Sequence, residues 1–273
     1  MQAALTDIAH IWLRELEPTL TRYAIYTVGV WLVLWVLLRP WLTARKIRSE
    51  TPPARQMLSE LSYSLRSMVI FATVGVLMTW MYDAGFYPLG AIADTWGPLW
   101  FGVSLVAGIV GLDAWFYWTH RLMHDPRLFR RFHRRHHRSN NPSPFTAYSF
   151  DVGEALVLIG YVVVFPMVFP MSSGAMGWVM LYQIVTNTLL HSGYELMPAR
   201  RDGRPMLDFI VTTTHHDLHH AQAGWNYAAW FTWWDRWMKT EHPEYLTRYA
   251  AAAWRPFAPR PLGEPALQLD RTT

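Results

Sequence analysis

The sequence predicts an all-α integral membrane protein with four or five transmembrane or membrane-embedded helices. Three observations carry that expectation. Of 273 residues, 52% are hydrophobic, 15% aromatic and only 16% charged, whereas a soluble domain carries about 25% charged residues. Five apolar stretches, 23–38, 68–80 with its flanks, 99–118, 155–169 and 175–190, approach the roughly 20 residues needed to cross a bilayer. Arginine and lysine gather in alternate loops, as expected of a polytopic protein.

The composition also excludes classes. With no cysteine, the chain holds no disulfide, no thiolate iron–sulfur cluster and no cysteine zinc finger. Any metal must be bound through nitrogen or oxygen. The net charge of +4 would suit a nucleic-acid partner, but the basic residues flank apolar stretches, so no nucleic acid is expected. Arginine supplies all basic residues but Lys46 and Lys239. With the abundant alanine, this suggests a GC-rich bacterial genome and so an inner-membrane location.

Residues 1–20 lack the positive start and continuous apolar core of a signal peptide. Ile8, Ile11, Trp12, Leu16 and Leu20 recur at helical spacing, which predicts an amphipathic helix lying on the membrane. Residues 21–253 form one membrane-embedded domain. The loop after the first span carries Arg45, Lys46, Arg48, Arg55 and Arg66. The next loop, about 82–98, has no basic residue, and the loop after the third span has seven arginines between Arg121 and Arg138. The positive-inside rule places the first and third loops in the cytoplasm. The stretches 155–169 and 175–190 are short and close together, so they read either as two tilted spans or as one hairpin dipping into the membrane. Residues 254–273 form a proline-rich, irregular tail.

The chemistry lies in the histidines. Five of the twelve fall within residues 120–137 and four within 215–220. His120 and His124 stand at i, i+4. His133, His136 and His137 stand at i, i+3, i+4, and His216, His219 and His220 repeat that pattern. Such spacings aim imidazoles from one helical face at one point, and imidazole suits iron, zinc, copper and nickel. One catalytic zinc takes about three protein ligands. Eight histidines exceed that and fit two metal ions of higher coordination number, which makes a nitrogen-rich di-iron site the natural reading. His191, four residues before Glu195, is a further ligand, and if the helix continues Glu195 faces the same point as a ligand or a group supporting one. His215 is either a ligand or a group supporting one. Asp113, seven residues before His120, either orients a ligand histidine or pairs with an arginine. His10 and His242 read as ordinary structural or surface histidines.

Other readings use the same residues. A basic, histidine-rich tract binds anionic lipid head groups, but this leaves the uncharged second H-x-x-H-H unexplained. A membrane di-zinc metallohydrolase would need no reductant. A non-catalytic metal-binding carrier would string its ligands across the membrane rather than gather them at one face.

The boxes His120-Arg-Leu-Met-His124, His133-Arg-Arg-His136-His137 and His216-Asp-Leu-His219-His220, followed by Asn226-Tyr227, Trp234-Asp235-Arg236 and Thr240, resemble the fatty acid hydroxylase / sterol desaturase superfamily of membrane di-iron oxygenases. The likeness covers roughly residues 112–240. Where many members have His-Pro-x-Glu after the second box, this chain has Asp151-Val-Gly-Glu154, whose two carboxylates are candidate ligands or supports of ligands. Where some hydroxylases have an extra H-x3-H, it has His191 and Glu195. The resemblance implies membrane helices topped by a cytosolic helical cap that holds the di-metal site. It implies two iron ions, with zinc able to substitute, and O2-dependent hydroxylation or desaturation of an unactivated C–H bond in a lipid such as a fatty acyl chain or sterol. No side chain beyond the metal centre need be catalytic. Residues 115–118, Trp-Phe-Tyr-Trp, either line the lipid entry or are ordinary interface aromatics. With no cofactor motif of its own, the chain needs a separate electron donor, a ferredoxin- or cytochrome-type protein or a reductase, and Arg134 and Arg135 offer a dock for an acidic one.

Overall fold

Helix α1 begins at Gln2–Tyr23 and does not stop where the apolar span begins. It continues through wider π turns at Ala24–Val28 and Leu32–Leu37. In the computed structural model, which describes residues 2–87 and 89–257, residues 7–37 are thus one apolar helix rather than a separate surface helix followed by a span. Trp12 donates to Thr73 Oγ1 at 3.1 Å, so the first half packs along helix α2, Ala54–Asp83, instead of lying apart from it. Of the tail expected at 254–273, residues 258–273 lie outside the described residues.

Helix α3, Gly97–Met123, opens on a positive-φ Gly97 followed by Pro98, a backbone conformation that glycine adopts without steric cost. The helices containing residues 7–37, 54–83 and 97–123 are long and apolar enough to cross a membrane. The last two apolar stretches form α6, Val152–Val168, and α7, Ser173–Leu190, joined by a short turn. Neither reaches the length and apolarity of the first three. Pro166 and Pro170 end α6 early, and Gln183 and Asn187 make α7 more polar.

Hydrogen bonds fix how far this hairpin reaches. Asp94, in the loop between α2 and α3, accepts from Ser172 Oγ at 2.8 Å and Ser173 Oγ at 2.6 Å, and Trp100 donates to the Pro170 carbonyl at 3.0 Å. The hairpin tip therefore lies level with the start of α3, at the end of the molecule opposite the histidines. Close packing holds it against α3. A Cβ on Gly108 would come within 2.7 Å of Val179, and one on Gly111 within 2.5 Å of Phe165. Tyr161 Oη donates to the Gly108 carbonyl at 2.6 Å.

The histidine end is built from short elements: α4 (Pro126–Phe132), α5 (Arg134–His137), α8 (Thr213–Ala221), α9 (Trp233–Trp237) and α10 (Tyr245–Ala253). Asp125 caps α4 by accepting from Arg127 N at 2.8 Å, with Pro126 in the first turn. One polar face of α2 ties down the segment after the second histidine box. Gln56 donates to the Asn141 carbonyl, Ser64 to that of Phe145 and Ser67 to that of Tyr148, each at 2.8 Å. No strand forms among the described residues; only isolated bridges occur.

Candidate metal centre

Nine imidazoles meet at this end in two groups. His120, His124, His133, His137 and His219 form one; His136, His191, His216 and His220 form the other. Within each group the ligand-capable atoms lie within 4.8 Å of one another. The division follows from helical geometry. In each box the i, i+4 pair turns to one group: His120 with His124, His133 with His137, His216 with His220. The i+3 residue of each of the last two boxes, His136 or His219, crosses to the other group.

The outer nitrogens fix where the lone pairs point. Nδ1 of His120 donates to the Tyr227 carbonyl at 2.7 Å, that of His219 to the Trp225 carbonyl at 2.6 Å, and that of His191 to the Asn187 carbonyl at 2.7 Å. A carbonyl only accepts, so the hydrogen sits on Nδ1 and the lone pair on Nε2. His133 Nδ1 meets Glu154 Oε1 at 2.7 Å. With that carboxylate ionised, His133 carries its hydrogen on Nδ1 as well, and His120 Nε2 and His133 Nε2 face each other at 2.9 Å with no hydrogen between them. In the second group, His191 Nε2 stands 3.0, 3.2 and 3.3 Å from the Nε2 atoms of His216, His220 and His136. The Nδ1 atoms of those three are buried without partners.

Converging lone pairs repel unless a cation lies among them. Two imidazoles bound about 2.1 Å from one metal at right angles hold their nitrogens about 3.0 Å apart, which is the spacing seen. The donor set therefore fits metal ions. Burial pushes His133, His136, His137, His216 and His220 well below the usual histidine range and holds His191 and His219 at about 4, so the rings stay neutral and able to ligate.

The other candidates of the sequence are placed differently. Glu154 serves His133, while its second oxygen, Oε2, is buried without a partner. Glu195 lies in neither group. Its Oε2 accepts from Thr214 N at 2.9 Å and Thr214 Oγ1 at 2.7 Å, a carboxylate at the N-terminus of α8. It aims the third box rather than joining it, because the chain leaves the helix after Leu190 and breaks the i, i+4 relation to His191. Asp113 reaches no histidine, since the 231–233 turn intervenes: it accepts from Phe231 N at 3.1 Å and Trp233 Nε1 at 2.6 Å. Asp151 accepts from Arg135 N at 2.9 Å, fixing α5 against α6. His215 points away from both groups, toward Asp235 Oδ2 at 3.6 Å and the Tyr245 ring. Arg135 is turned inward onto Ser59 Oγ at 2.6 Å and over the Tyr63 ring, whereas Arg134 is exposed.

Backbone carbonyls are the supporting groups sequence reasoning misses, because they leave no side-chain signal. Their positioning does leave one. Asn226 has φ +57°, a conformation asparagine tolerates. Asp235 accepts from Tyr227 N and Ala228 N, each at 2.9 Å, and from Thr240 Oγ1 at 2.7 Å, holding the loop that delivers the Tyr227 carbonyl to His120.

Beneath the histidines, α1, α2, α3, α6 and α7 line a mainly apolar, partly open cavity of about 290 Å³. Its lining includes Phe116, which packs on His120, Phe150, which packs on His136, and Asn187, whose carbonyl holds His191. The cavity thus ends directly under both imidazole groups. These features define a helical membrane protein with two all-nitrogen imidazole groups suited to metal, set over a mainly apolar cavity.

Comparison with known proteins gives that class a family. Residues 105–240 match the fatty acid hydroxylase family model. The delta(7)-sterol 5(6)-desaturase ERG3B of Gibberella zeae is 30% identical over 142 residues, 52% of this chain and 42% of its own. The lathosterol oxidase of Mus musculus is 26% identical over 186 residues, 66% of this chain and 60% of its own. Methylsterol monooxygenase 1 of Rattus norvegicus is 34% identical over 134 residues, 45% and 41%. The chain belongs to the fatty acid hydroxylase / sterol desaturase superfamily, and the match spans only about half the length of these relatives. No solved structure matches it.

Proposed function

We propose that this protein is an O2-dependent membrane oxygenase. It holds two iron ions in its nine imidazoles and hydroxylates or desaturates an unactivated C–H bond of a lipid. The observation that carries the reading is the pairing of two convergent imidazole clusters with an apolar cavity ending beneath them. The relatives' names, a sterol desaturase and a methylsterol monooxygenase, support a lipid oxidoreductase. When bound, the two irons supply the reduction of dioxygen that oxidation of such a bond requires.

The residues of the chain do the positioning. His120, His124, His133, His137 and His219 would hold one ion; His136, His191, His216 and His220 the other. Glu154 and the carbonyls of Tyr227, Trp225 and Asn187 keep the rings in the ligating tautomer. Phe116, Phe150 and Trp230 present the substrate chain to the site and exclude water from it. Electrons come from a separate donor, which docks on the exposed arginines of the second-box segment. The site faces the cytoplasm of a bacterial inner membrane, on the positive-inside argument.

The test is metal content and oxygen uptake. Protein expressed with ample iron should carry about two irons per chain, and these should be lost in the His219→Ala, His220→Ala double variant. With a reductant and lipid it should consume oxygen. Zinc found in place of iron calls for iron reconstitution before the uptake assay. An intact, folded preparation that binds no metal overturns the proposal.

A further inference from the structure

The cavity wall is polar along one side. Helix α1 presents Glu15, Thr19 and Arg22 to it, at i, i+4 and i+7 on one face. Arg22 is exposed, but Glu15 is half-buried. Its carboxylate lies over Gly75, where a Cβ would come within 2.8 Å of Oε2, so glycine there leaves room for it. Among the described residues that carboxylate has no hydrogen-bond or ion-pair partner. A carboxylate without a protein partner on the wall of a mainly apolar cavity between membrane-length helices is a candidate for binding a polar group of a ligand. Thr19 gives its hydroxyl hydrogen to the Glu15 carbonyl at 2.7 Å, so its oxygen can only accept toward the cavity. Both groups ask for a donor.

The distance from this pair to the histidines is read along α2. Ser67 bonds the Tyr148 carbonyl, two residues before the Phe150 that packs on His136. Gly75 lies eight residues further along α2, about 12 Å away at 1.5 Å per residue. We infer that the cavity binds a neutral lipid alcohol whose hydroxyl donates to Glu15. The carbon beneath the histidines is then about 12 Å from that hydroxyl along the helix axis, remote from the polar end. The recognition half stands on the cavity alone; the position of oxidation rests on the oxygenase reading.

The test uses full-length, metal-loaded protein in nanodiscs, kept anaerobic and unreduced so that nothing turns over. Hexadecanol, palmitate and hexadecane compete against tritiated hexadecanol. Hexadecanol should bind at least about tenfold tighter than either. Glu15→Ala should abolish that preference, and Glu15→Gln, which keeps an acceptor oxygen, should retain most of it. Gly75→Val, which fills the space under the carboxylate, should act like Glu15→Ala and serves if that variant does not insert. Tighter binding of palmitate, as Arg22 alone would favour, overturns the inference. So does equal binding of all three, or a preference unchanged in both variants. Alcohol preference without reductant-dependent oxygen uptake leaves the head-group site standing and removes the oxygenase reading. If turnover occurs, oxidation within a few carbons of the hydroxyl overturns the spacing.

Discussion

Glu154 holds Nδ1 of His133 at 2.7 Å from the first turn of a neighbouring helix, and both side chains are almost wholly buried. The pair links the second histidine box to the membrane hairpin. Through it, a carboxylate outside both imidazole groups decides which nitrogen of His133 is free to ligate.

This relationship gives the first prediction. Glu154→Ala leaves His133 free to rotate and to change tautomer. Loss of such a supporting carboxylate lowers metal affinity about 10- to 100-fold. Glu154→Gln keeps an acceptor but loses the charge, and should fall between. Competition with a calibrated chelator measures both, and wild-type affinity in Glu154→Ala would show that the contact is only structural.

The 5 + 4 division predicts selective loss. His191→Ala removes the ring around which the second group converges. It should lower iron from about two per chain to about one. His124→Ala removes one of five from the other group and should cost less, since four imidazoles remain. Metal analysis of both variants checks this. Equal and complete loss in both would mean that the groups load as a unit.

Much of this was legible in the sequence. The i, i+3, i+4 spacings of the boxes identify the imidazoles and, in retrospect, their allocation, because a helix turns residues four apart to one side. The apolar stretches locate the membrane helices. The position of Asp113 was not legible: two helical turns before His120 is the right face, but a loop more than a hundred residues later, at Phe231 and Trp233, occupies the space between. Nor was Glu195, whose spacing from His191 has meaning only if the helix continues. The carbonyls of Asn187, Trp225 and Tyr227 were invisible, since any residue supplies a carbonyl.

Metal removal should destabilise the fold. Without a cation, His120 Nε2 and His133 Nε2 oppose lone pairs at 2.9 Å in a buried site. A ligand that binds only the folded state adds about 2.7 kcal/mol at a hundredfold excess over its Kd. Chelation should therefore lower Tm by several degrees, and iron should restore it. An unchanged Tm would mean that the site relaxes freely.

Asp235→Asn tests the loop that serves His120. Three donors converge on this carboxylate. An amide has one oxygen, so its NH2 must face a backbone N–H. Leaving a buried donor unmet costs about 1–3 kcal/mol. Thermal unfolding should show that loss, together with weaker metal retention as the Tyr227 carbonyl leaves His120. A stable variant that keeps its metal would confine Asp235 to local packing.

The donor surface is the last prediction. Arg135 is engaged with Ser59 and Tyr63, so it is a poor dock despite its place in the sequence. Arg127, Arg130, Arg131, Arg134 and Arg138 are exposed on the segment whose inner side carries His133, His136 and His137. An acidic donor seated there stands one short helix from the metal ligands. Exposed charges steer encounter more than they hold a complex, and salt screens them over about 10 Å at 0.1 M. Replacing Arg131, Arg134 and Arg138 with glutamate should slow donor-supported turnover at low salt by about tenfold. It should also flatten the salt dependence while leaving iron content and turnover with a small chemical reductant unchanged. Arg135→Ala alone should instead lower stability. Donor-supported rates that ignore both the triple variant and the salt would place the dock elsewhere.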